Sequence, residues 1–139
     1  MRIKQIMTTN LIEADEQMTL KKLAEHFVSN NIHHIPVVNN QRELIGIVSD
    51  RDVSNALSPF LGTENEREQD RACLGITVTD VMTEEPITVT EDTHIDIASI
   101  LLLEHNFSCL PIVDDDDKLV GIVTWKDILN YYVYSVDNQ

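Results

Sequence analysis

One stretch near the start of the chain has apolar residues at the spacing of an amphipathic helix. The positions i, i+3, i+4, i+7 and i+8 are occupied by Leu20, Leu23, Ala24, Phe27 and Val28. Thr19 precedes this stripe as a candidate N-cap, and Asn31 follows just past its end. The pattern therefore predicts a helix between these two residues.

A second stretch repeats this spacing, at Ile95, Ala98, Ser99, Leu102 and Leu103. Thr93, with Asp96 three residues later, predicts a capping box at its start, and Asn106 marks its end. Further apolar residues make this stripe wider than one core contact requires, namely Ile97, Ile100 and Leu101. We therefore expect a second buried contact here, such as another subunit.

Each predicted helix is followed by two short runs rich in β-branched residues, which predict strands. These runs are Ile35–Val38 and Leu44–Val48, then Leu110–Val113 and Leu119–Val123. The polar turns between them, "NNQRE" and "DDDDK", have the length of a hairpin or a short connection. A further helix after each pair, and a short strand before each first helix (around residues 11–12 and 87–89), complete the predicted order β-α-β-β-α.

The two halves of the chain are copies of one unit. At an offset of 75 residues, positions 3–57 align with 78–132 without a gap, and about a quarter of them are identical. We predict an α/β (α+β) fold of two repeats packed about a pseudo-twofold axis. The predicted boundaries are repeat 1 at residues 1–57, a linker at 58–77, repeat 2 at 78–134 and a C-terminal tail at 135–139.

Composition excludes several classes of partner and site. The formal net charge of −14 repels phosphate backbones and anionic lipids, so we expect neither nucleic acid nor a membrane as partner. The longest apolar run is Ile100–Leu103, far shorter than the roughly 18 to 20 residues that span a bilayer. Two cysteines without CxxC spacing, and no apolar leader segment, predict a cytoplasmic protein.

The most similar phrases of the two copies are "GIVSDRD" (Gly46–Asp52) and "GIVTWKD" (Gly121–Asp127). In one interpretation, the hydroxyl and the aspartate form a helix capping box, and the glycine marks a close backbone approach. In the other, a strand that leads into a helix presents a hydroxyl and free amides to an anionic group, while the carboxylate accepts two vicinal hydroxyls, as a ribose presents them. The glycine would then leave the approach unobstructed. One carboxylate can serve both purposes, because it has about four lone-pair positions.

Taken together, these phrases, the "IMT" and "VMT" starts, and the "HHIPVV" and "SCLPIV" strands closely resemble the cystathionine-β-synthase (CBS) domain. The chain resembles a tandem CBS pair, or Bateman module, similar to the bacterial acetoin-utilisation (AcuB-like) proteins. The resemblance implies a non-enzymatic regulatory sensor, for example of energy state, that binds an adenosine ligand in clefts between the repeats and forms a disc-like homodimer. A target protein that responds to it is a possible further partner.

The resemblance also implies which residues bind the ligand. One cleft would combine Ile47, Ser49 and Asp52 with Thr83, Ile87, Thr88 and Ser108. The other would combine Ile122, Thr124 and Asp127 with Thr8, Ile12, Glu13 and His33. The aspartates would hold ribose, Ile12 and Ile87 would flank adenine, and neighbouring main-chain groups would contact the adenine edge.

The sequence departs from the family pattern where phosphate-binding members often place a basic residue, since His33 and Ser108 stand there. Arg51 and Lys126 lie inside the motifs and can either reach a phosphate or stay solvated. With few cations, AMP, ADP or the cationic S-adenosylmethionine is favoured over an unaided ATP. Glu13 makes the second cleft the less favourable nucleotide site.

Other candidate sites are weaker. His33 and His34 are adjacent on a predicted strand, so they point to opposite faces and cannot chelate one metal ion together. The acidic run Asp114–Asp117 lacks the ligand spacing of an EF-hand and predicts a solvated turn. Trp125 either stacks on a ligand or covers a helix start. Catalytic motifs such as G-x-S-x-G or a Walker loop are absent. The rival hypothesis is a dimerisation or scaffold protein that binds no ligand.

Overall fold

A computed structural model of the chain describes residues 1–135. Residues 136–139, the larger part of the predicted tail, lie outside the described residues. The chain forms two compact units, which we name by their place in the sequence. The central unit is Ile12–Glu85, and the terminal unit combines Met1–Leu11 with the chain from Pro86 onward. The predicted mixed α/β class is confirmed.

The central unit places a small antiparallel sheet against helices. Its elements are α1 (Leu20–Asn30), β1 (His34–Val38), β2 (Leu44–Ser49), α2 (Asp50–Ala56), α3 (Glu68–Ala72) and β3 (Thr83–Glu84), with 3₁₀ turns at Cys73–Gly75 and Val78–Asp80. The sheet order is β1-β2-β3. The apolar stripe of α1 packs on the inward faces of β1 and β2, so Leu20, Leu23, Ile35 and Val48 are fully buried.

The terminal unit repeats this arrangement. It contains a 3₁₀ turn at Ile3–Gln5, then α4 (Ile95–His105), β4 (Cys109–Val113), β5 (Leu119–Thr124) and α5 (Trp125–Ser135). Strands β4 and β5 form an antiparallel hairpin. Its core includes Ile3, Ile95, Leu110 and Val123, all 2% exposed or less. The four strands of the two hairpins agree with the predicted strands to within a residue at each end.

Each compact unit also contains the start of the other sequence repeat. Ile3 belongs to repeat 1, yet its amide donates to the Thr93 carbonyl at 2.8 Å and its side chain lies in the core of the terminal unit. Val78, the matching residue of repeat 2, donates to the Met18 carbonyl at 2.8 Å and lies in the core of the central unit. Both residues are fully buried, so each repeat supplies part of the core of the other unit.

The predicted cap of α1 is confirmed, and that of α4 is wrong. Thr19 Oγ1 accepts the Lys22 amide at 3.4 Å. Helix α4 begins one residue later than predicted, because His94 is its N-cap and accepts the Asp96 amide through Nδ1 at 3.1 Å. The Thr93 hydroxyl is used elsewhere, as the acceptor of the Thr90 amide in the preceding turn.

The short strands predicted before α1 and α4 are reduced to single parallel bridges, Ala14 with Val37 and Val89 with Ile112. The first bridge lies after the predicted residues 11–12. Each segment makes only two ladder bonds, such as Ala14 N–H to the Pro36 carbonyl at 2.9 Å, which is too few for a continuous strand. The predicted linker contains one short α-helix, α3, and the 3₁₀ turn at Cys73–Gly75.

Candidate ligand-binding site

The motif Gly46–Asp52 places a hydroxyl and a carboxylate where β2 runs directly into α2. Ser49 Oγ accepts the Asp52 amide at 3.1 Å, and Asp52 Oδ2 accepts the Ser49 amide at 2.9 Å. These reciprocal bonds form a complete capping box. The structural interpretation of the phrase is therefore confirmed, and its bonds engage only Oδ2 of the carboxylate.

The motif Gly121–Asp127 has the same geometry at the junction of β5 and α5. Thr124 Oγ1 accepts the Asp127 amide at 3.2 Å, and Asp127 Oδ2 accepts the Thr124 amide at 2.9 Å. Both carboxylates are half-buried beside the last residue of a strand. Each is held in a fixed orientation with Oδ1 outside the box, as a group that binds a diol requires.

A threonine from an "MT" motif lies beside each of these strands. Thr83 pairs with Ile47 in the β2–β3 register, and Thr8 forms a bridge with Ile122. The Thr8 amide donates to the Ile122 carbonyl at 2.8 Å, and the Ile122 amide donates to the Thr8 carbonyl at 3.0 Å. The structure thus groups four predicted residues within each unit: Ile47, Ser49, Asp52 and Thr83, and Ile122, Thr124, Asp127 and Thr8.

The motif glycines make room for these "MT" segments. A Cβ on Gly46 would lie 2.5 Å from Met82 Sδ and 2.9 Å from the Thr83 carbonyl oxygen. A Cβ on Gly121 would lie 2.8 Å from Met7 Sδ. The close backbone approach of the glycines is therefore confirmed, and their role of leaving a ligand unobstructed stays a prediction.

The start of α2 does not offer the free amides that the second interpretation required. The amides of Asp50, Arg51 and Asp52 donate to the His33 carbonyl, to Asp50 Oδ1 and to Ser49 Oγ. Asp50 Oδ2 also lies 2.8 Å from His33 Nδ1, and this hydrogen bond lowers the pKa of the Asp50 carboxyl. A carboxylate thus occupies the first turn of α2, where it disfavours a second anion.

The start of α5 is chemically different. Trp125 replaces Asp50 at the first helical position, and its amide donates to the Ser108 carbonyl at 3.1 Å. Lys126 is exposed beside it. The first two positions of α5 therefore carry an exposed indole and Lys126, whereas those of α2 carry the Asp50 carboxylate and Arg51. The two motifs share a capping box and differ in the charge around it.

Glu13, predicted to oppose a nucleotide, forms an ion pair with an arginine of the central unit. Its Oε1 lies 3.1 Å from Arg42 Nη2, and the Glu13 side chain is 23% exposed. Glu13 Oε1 makes no hydrogen bond of good geometry, so charge attraction holds the two side chains together. Arg42 stands at a left-handed position of the β1–β2 turn, with φ of 65°. The sequence did not reveal this pair, since nothing in the spacing brings residues 13 and 42 together.

The remaining predicted residues lie in one unit or the other. Ile87, Thr88 and Ser108 are in the terminal unit, where Ile87 is 38% exposed and Ser108 is exposed. Ile12 and His33 are in the central unit. Each predicted set therefore combines residues of both units, and its assembly into one site stays a prediction.

Among the described residues, the histidines form no metal site and the linker brings no predicted ligand-binding residues together. Within residues 1–135, no group of three His, Cys, Asp or Glu side chains has the geometry to hold a metal ion, and no helix is long and apolar enough to cross a membrane. Burial lowers the pKa of His34, which therefore favours the neutral form. An open depression of about 620 Å³ in the linker is lined by Phe60, Arg67 and acidic residues, and it contains none of the predicted site residues.

The family model of the CBS domain matches residues 3–59 and 78–134. The chain therefore belongs to the CBS domain family and carries a pair of these domains. It is similar to the CBS domain pair of a protein solved with 5′-methylthioadenosine and S-adenosyl-L-methionine, at 28% identity and a TM-score of 0.81, covering 97% of this chain and 98% of that one. It is equally similar to CBSX2 solved in complex with AMP, at 28% identity and a TM-score of 0.82, with the same coverage.

The curated relatives differ widely in length. Homoserine O-acetyltransferase of Methanococcus vannielii is 36% identical over 128 residues, which cover 92% of this chain and 24% of that protein. A CBS domain-containing protein of Dictyostelium discoideum is 33% identical over 132 residues, covering 94% and 90%. The chain thus spans about a quarter of the first relative. The acetoin utilisation protein AcuB of Vibrio cholerae shares the fold, at 23% identity and a TM-score of 0.82, over 99% of this chain and 93% of that one.

Proposed function

We propose that this chain is a regulatory module that binds an adenosine-containing small molecule through residues of both CBS repeats. The observation that carries the proposal is the pair of motif aspartates, each fixed by a capping box through one oxygen. Support comes from two similar CBS pairs, at 28% identity, that were solved with S-adenosylmethionine and methylthioadenosine or with AMP. All of these ligands contain adenosine.

In this proposal, Asp52 and Asp127 bind ribose. Oδ2 of each carboxylate is committed to the helix cap, so Oδ1 is the oxygen that accepts hydrogen bonds from the vicinal hydroxyls. The capping bonds hold the carboxylate in place before the ligand arrives, which reduces the entropy lost on binding. One side chain thus stabilises the helix start and recognises the sugar.

The other predicted residues complete two ligand sites. The first comprises Ile47, Ser49, Asp52 and Thr83 with Ile87, Thr88 and Ser108, and the second comprises Ile122, Thr124, Asp127 and Thr8 with Ile12 and His33. Ile12 and Ile87 flank the adenine ring in this assignment. Because each site uses residues of both repeats, a ligand favours the arrangement of the repeats that it contacts best, by no more than its difference in affinity between states.

The charges around the motifs favour different ligands at the two sites. Asp50 beside Ser49 and Asp52 offsets the charge of the neighbouring Arg51, so this motif disfavours a phosphate and suits the sulfonium cation of S-adenosylmethionine. Lys126 beside Thr124 and Asp127 suits the phosphate of AMP or ADP. Since Arg42 compensates Glu13 at 3.1 Å, Glu13 no longer counts strongly against a nucleotide at the second site.

We infer a cytoplasmic location for the module. Cys73 and Cys109 are free thiols, which fits the reducing cytoplasm. The module acts on a target protein, as a homodimer, and catalyses no reaction itself. A role in acetoin utilisation stays a prediction from the sequence, because AcuB at 23% identity shares only the fold. Likewise, the acetyltransferase activity of the longer relative is not assigned to this chain, which matches 24% of its length.

Thermal-shift measurements with AMP, ADP, ATP, S-adenosylmethionine and NADH test the proposal. A specific ligand at 100 times its dissociation constant should stabilise the protein by about 2.7 kcal/mol. 2′-Deoxyadenosine monophosphate is the control, because it retains adenine and phosphate but lacks one hydroxyl of the diol. It should bind more weakly than AMP by about tenfold, as expected for one lost charge-assisted hydrogen bond.

Variants separate ligand binding from capping. Asp127→Asn and Asp52→Asn keep a side-chain oxygen for the cap but weaken the ribose bond, so calorimetry should show lower affinity at one site each. Asp70→Asn is the matched control, because Asp70 Oδ2 caps α3 at 2.7 Å outside the proposed sites. If none of the ligands shifts the melting temperature, the scaffold hypothesis is favoured. If binding occurs but survives both substitutions, the ribose assignment is wrong.

A further inference from the structure

The strand phrases of the two repeats differ in the residues that titrate near neutral pH. "HHIPVV" begins with His33 and His34, and the matching positions of "SCLPIV" are Ser108 and Cys109. Burial raises the pKa of Cys109 to about 12, so this thiol stays neutral at physiological pH. The same hairpin forms in both units, so its folding does not require the two histidines.

His34 lies on the same face of the sheet as three of the proposed ligand-binding residues. It pairs with Ser49 in the β1–β2 register, and Ile47 pairs with Thr83 of β3. Directly paired residues project to one face of a sheet, and so do residues two apart along a strand. These four residues therefore share a face, opposite to the one that carries Val48 into the core. His34 is half-buried there.

Charged groups lie near His34 on the segment before β1 and on α2. His33 places Nδ1 2.8 Å from Asp50 Oδ2, and this hydrogen bond lowers the pKa of the Asp50 carboxyl. Asp50 therefore stays ionised at neutral and mildly acidic pH. Asp52, the proposed ribose-binding residue, also acts on His34, whereas Arg51 between the two carboxylates is exposed. The residues of β2 and β3 on the shared face carry no charge.

The proton affinity of His34 depends on opposing influences. Burial is the largest, and it lowers the pKa of His34 below its usual 6.5. Asp50 and Asp52 raise this pKa, whereas His33 lowers it. Because a charge within about 6 Å commonly shifts a pKa by one unit or more, a ligand charge on this face changes the protonation of His34. By reciprocity, protonation of His34 changes the affinity for that ligand by the same factor.

We propose that ligand binding at the first site, which contains Asp52, is linked to protonation of His34, so that this site senses pH together with the adenosine ligand. The inference rests on the proposed ligand site and adds a proton to what that site binds. A cationic ligand such as S-adenosylmethionine and a protonated His34 repel each other. Binding should therefore release a proton, and affinity should fall as the pH drops through the pKa of His34. The second site, with Cys109 at the matching position, should lack this linkage.

Isothermal titration calorimetry in buffers of different ionisation enthalpy counts the protons exchanged on binding. S-adenosylmethionine is the charged probe, and 5′-methylthioadenosine, which keeps the adenosine and lacks the sulfonium cation, is the neutral probe. Between about pH 7 and pH 5, the wild-type chain should release up to about half a proton per S-adenosylmethionine bound at the first site, as a pKa shift of one unit produces. The affinity of this site should fall by up to about tenfold over the same range. 5′-Methylthioadenosine should show a smaller change in both quantities.

Two histidine variants identify the titrating group. His34→Gln removes the imidazole and keeps a polar side chain, so it should abolish the proton release and flatten the pH dependence of the affinity. His105→Gln is the matched control, because His105 is an exposed histidine of the terminal unit outside both proposed sites. It should leave the proton release unchanged.

The outcomes separate the linkage from the sensor proposal. Proton release that persists in His34→Gln, or an affinity of the wild-type chain for S-adenosylmethionine that is equal at pH 7 and pH 5, overturns the linkage and leaves the sensor proposal standing. If neither probe binds at pH 7, the sensor proposal fails, and the linkage fails with it.

Discussion

Replacing Gly46 by alanine should destabilise the protein, although alanine normally suits a strand better than glycine does. The added Cβ would lie 2.5 Å from Met82 Sδ, 2.9 Å from the Thr83 carbonyl oxygen and 3.0 Å from Met82 Cγ. The methionine side chain can move away, but the carbonyl belongs to the backbone of β3. Relief of the second contact therefore requires β3 to shift away from β2.

The magnitude follows from two opposing terms. Alanine in place of glycine in a regular element gains about 0.5–1 kcal/mol by reducing the entropy of the unfolded chain. Overpacking of a filled site costs about 1–3 kcal/mol. Since one of the three close contacts, at 2.9 Å, is to a backbone carbonyl that cannot rotate away, we expect the cost to dominate, with a net loss of about 1–2 kcal/mol for Gly46→Ala. Gly121→Ala should cost less, because its closest contacts are 2.8 and 3.1 Å.

Urea denaturation followed by circular dichroism measures both variants. The double variant Gly46→Ala/Met82→Ala tests the cause, because it removes the sulfur contact and leaves the carbonyl contact. Compared with Met82→Ala alone, the glycine substitution should then cost less than in the wild-type background, yet still destabilise. An unfolding free energy for Gly46→Ala equal to or above that of the wild type would refute the close-approach argument.

Further predictions concern other parts of the fold. Burial lowers the pKa of His34 below 6.5, so on acidification the unfolded chain takes up this proton before the folded chain does. The free energy of unfolding should therefore fall as the pH drops below about 7 toward the folded-state pKa. The midpoint of urea unfolding should decrease less over this pH range for His34→Gln than for the wild type. Burial raises the pKa of Cys109 to about 12, so mass spectrometry after iodoacetamide treatment should find native Cys73 labelled before Cys109, and both labelled in urea. Asn31 and Asn106 end α1 and α4 at φ of 50° and 55°, so thermal unfolding should show a loss of about 1 kcal/mol for Asn→Ala at either position and little change for Asn→Gly.

The hairpins and the helices α1 and α4 follow from the sequence because local rules decide them. The helix spacing around Leu20 and the asparagine at its end act within a few residues, and so do the β-branched runs of β1 and β2. The capping box at Ser49 and Asp52 is equally local, since its bonds span three residues. Local patterns of this kind are the ones that a single sequence shows reliably.

Features that depend on distant contacts were not predictable in the same way. Strand β3 exists only because Thr83 pairs with Ile47, 36 residues earlier in the chain. The bridge at Ala14 depends on Val37, and the neutralisation of Glu13 depends on Arg42. The wrong prediction for the cap of α4 has a related cause. The Thr93 carbonyl accepts the amide of Ile3, which lies 90 residues earlier in the chain, and that bond helps to fix where the turn ends and the helix begins.

The two motifs show how a duplicated element can keep its folding role while its chemistry diverges. The reciprocal bonds of the two capping boxes agree to within 0.1 Å: the hydroxyl accepts the aspartate amide at 3.1 and 3.2 Å, and the carboxylate accepts the amide of the hydroxyl residue at 2.9 Å in both. The two positions between these groups are not constrained by the cap, and the first of them carries Asp50 in one repeat and Trp125 in the other. Because the cap requires only two of four residues, the others are free to determine charge at the proposed sites. Conversion of Asp50 to tryptophan should therefore preserve the cap of α2, and calorimetry with AMP and S-adenosylmethionine should show a change in ligand preference; an unchanged preference would mean that residues outside the motif decide it.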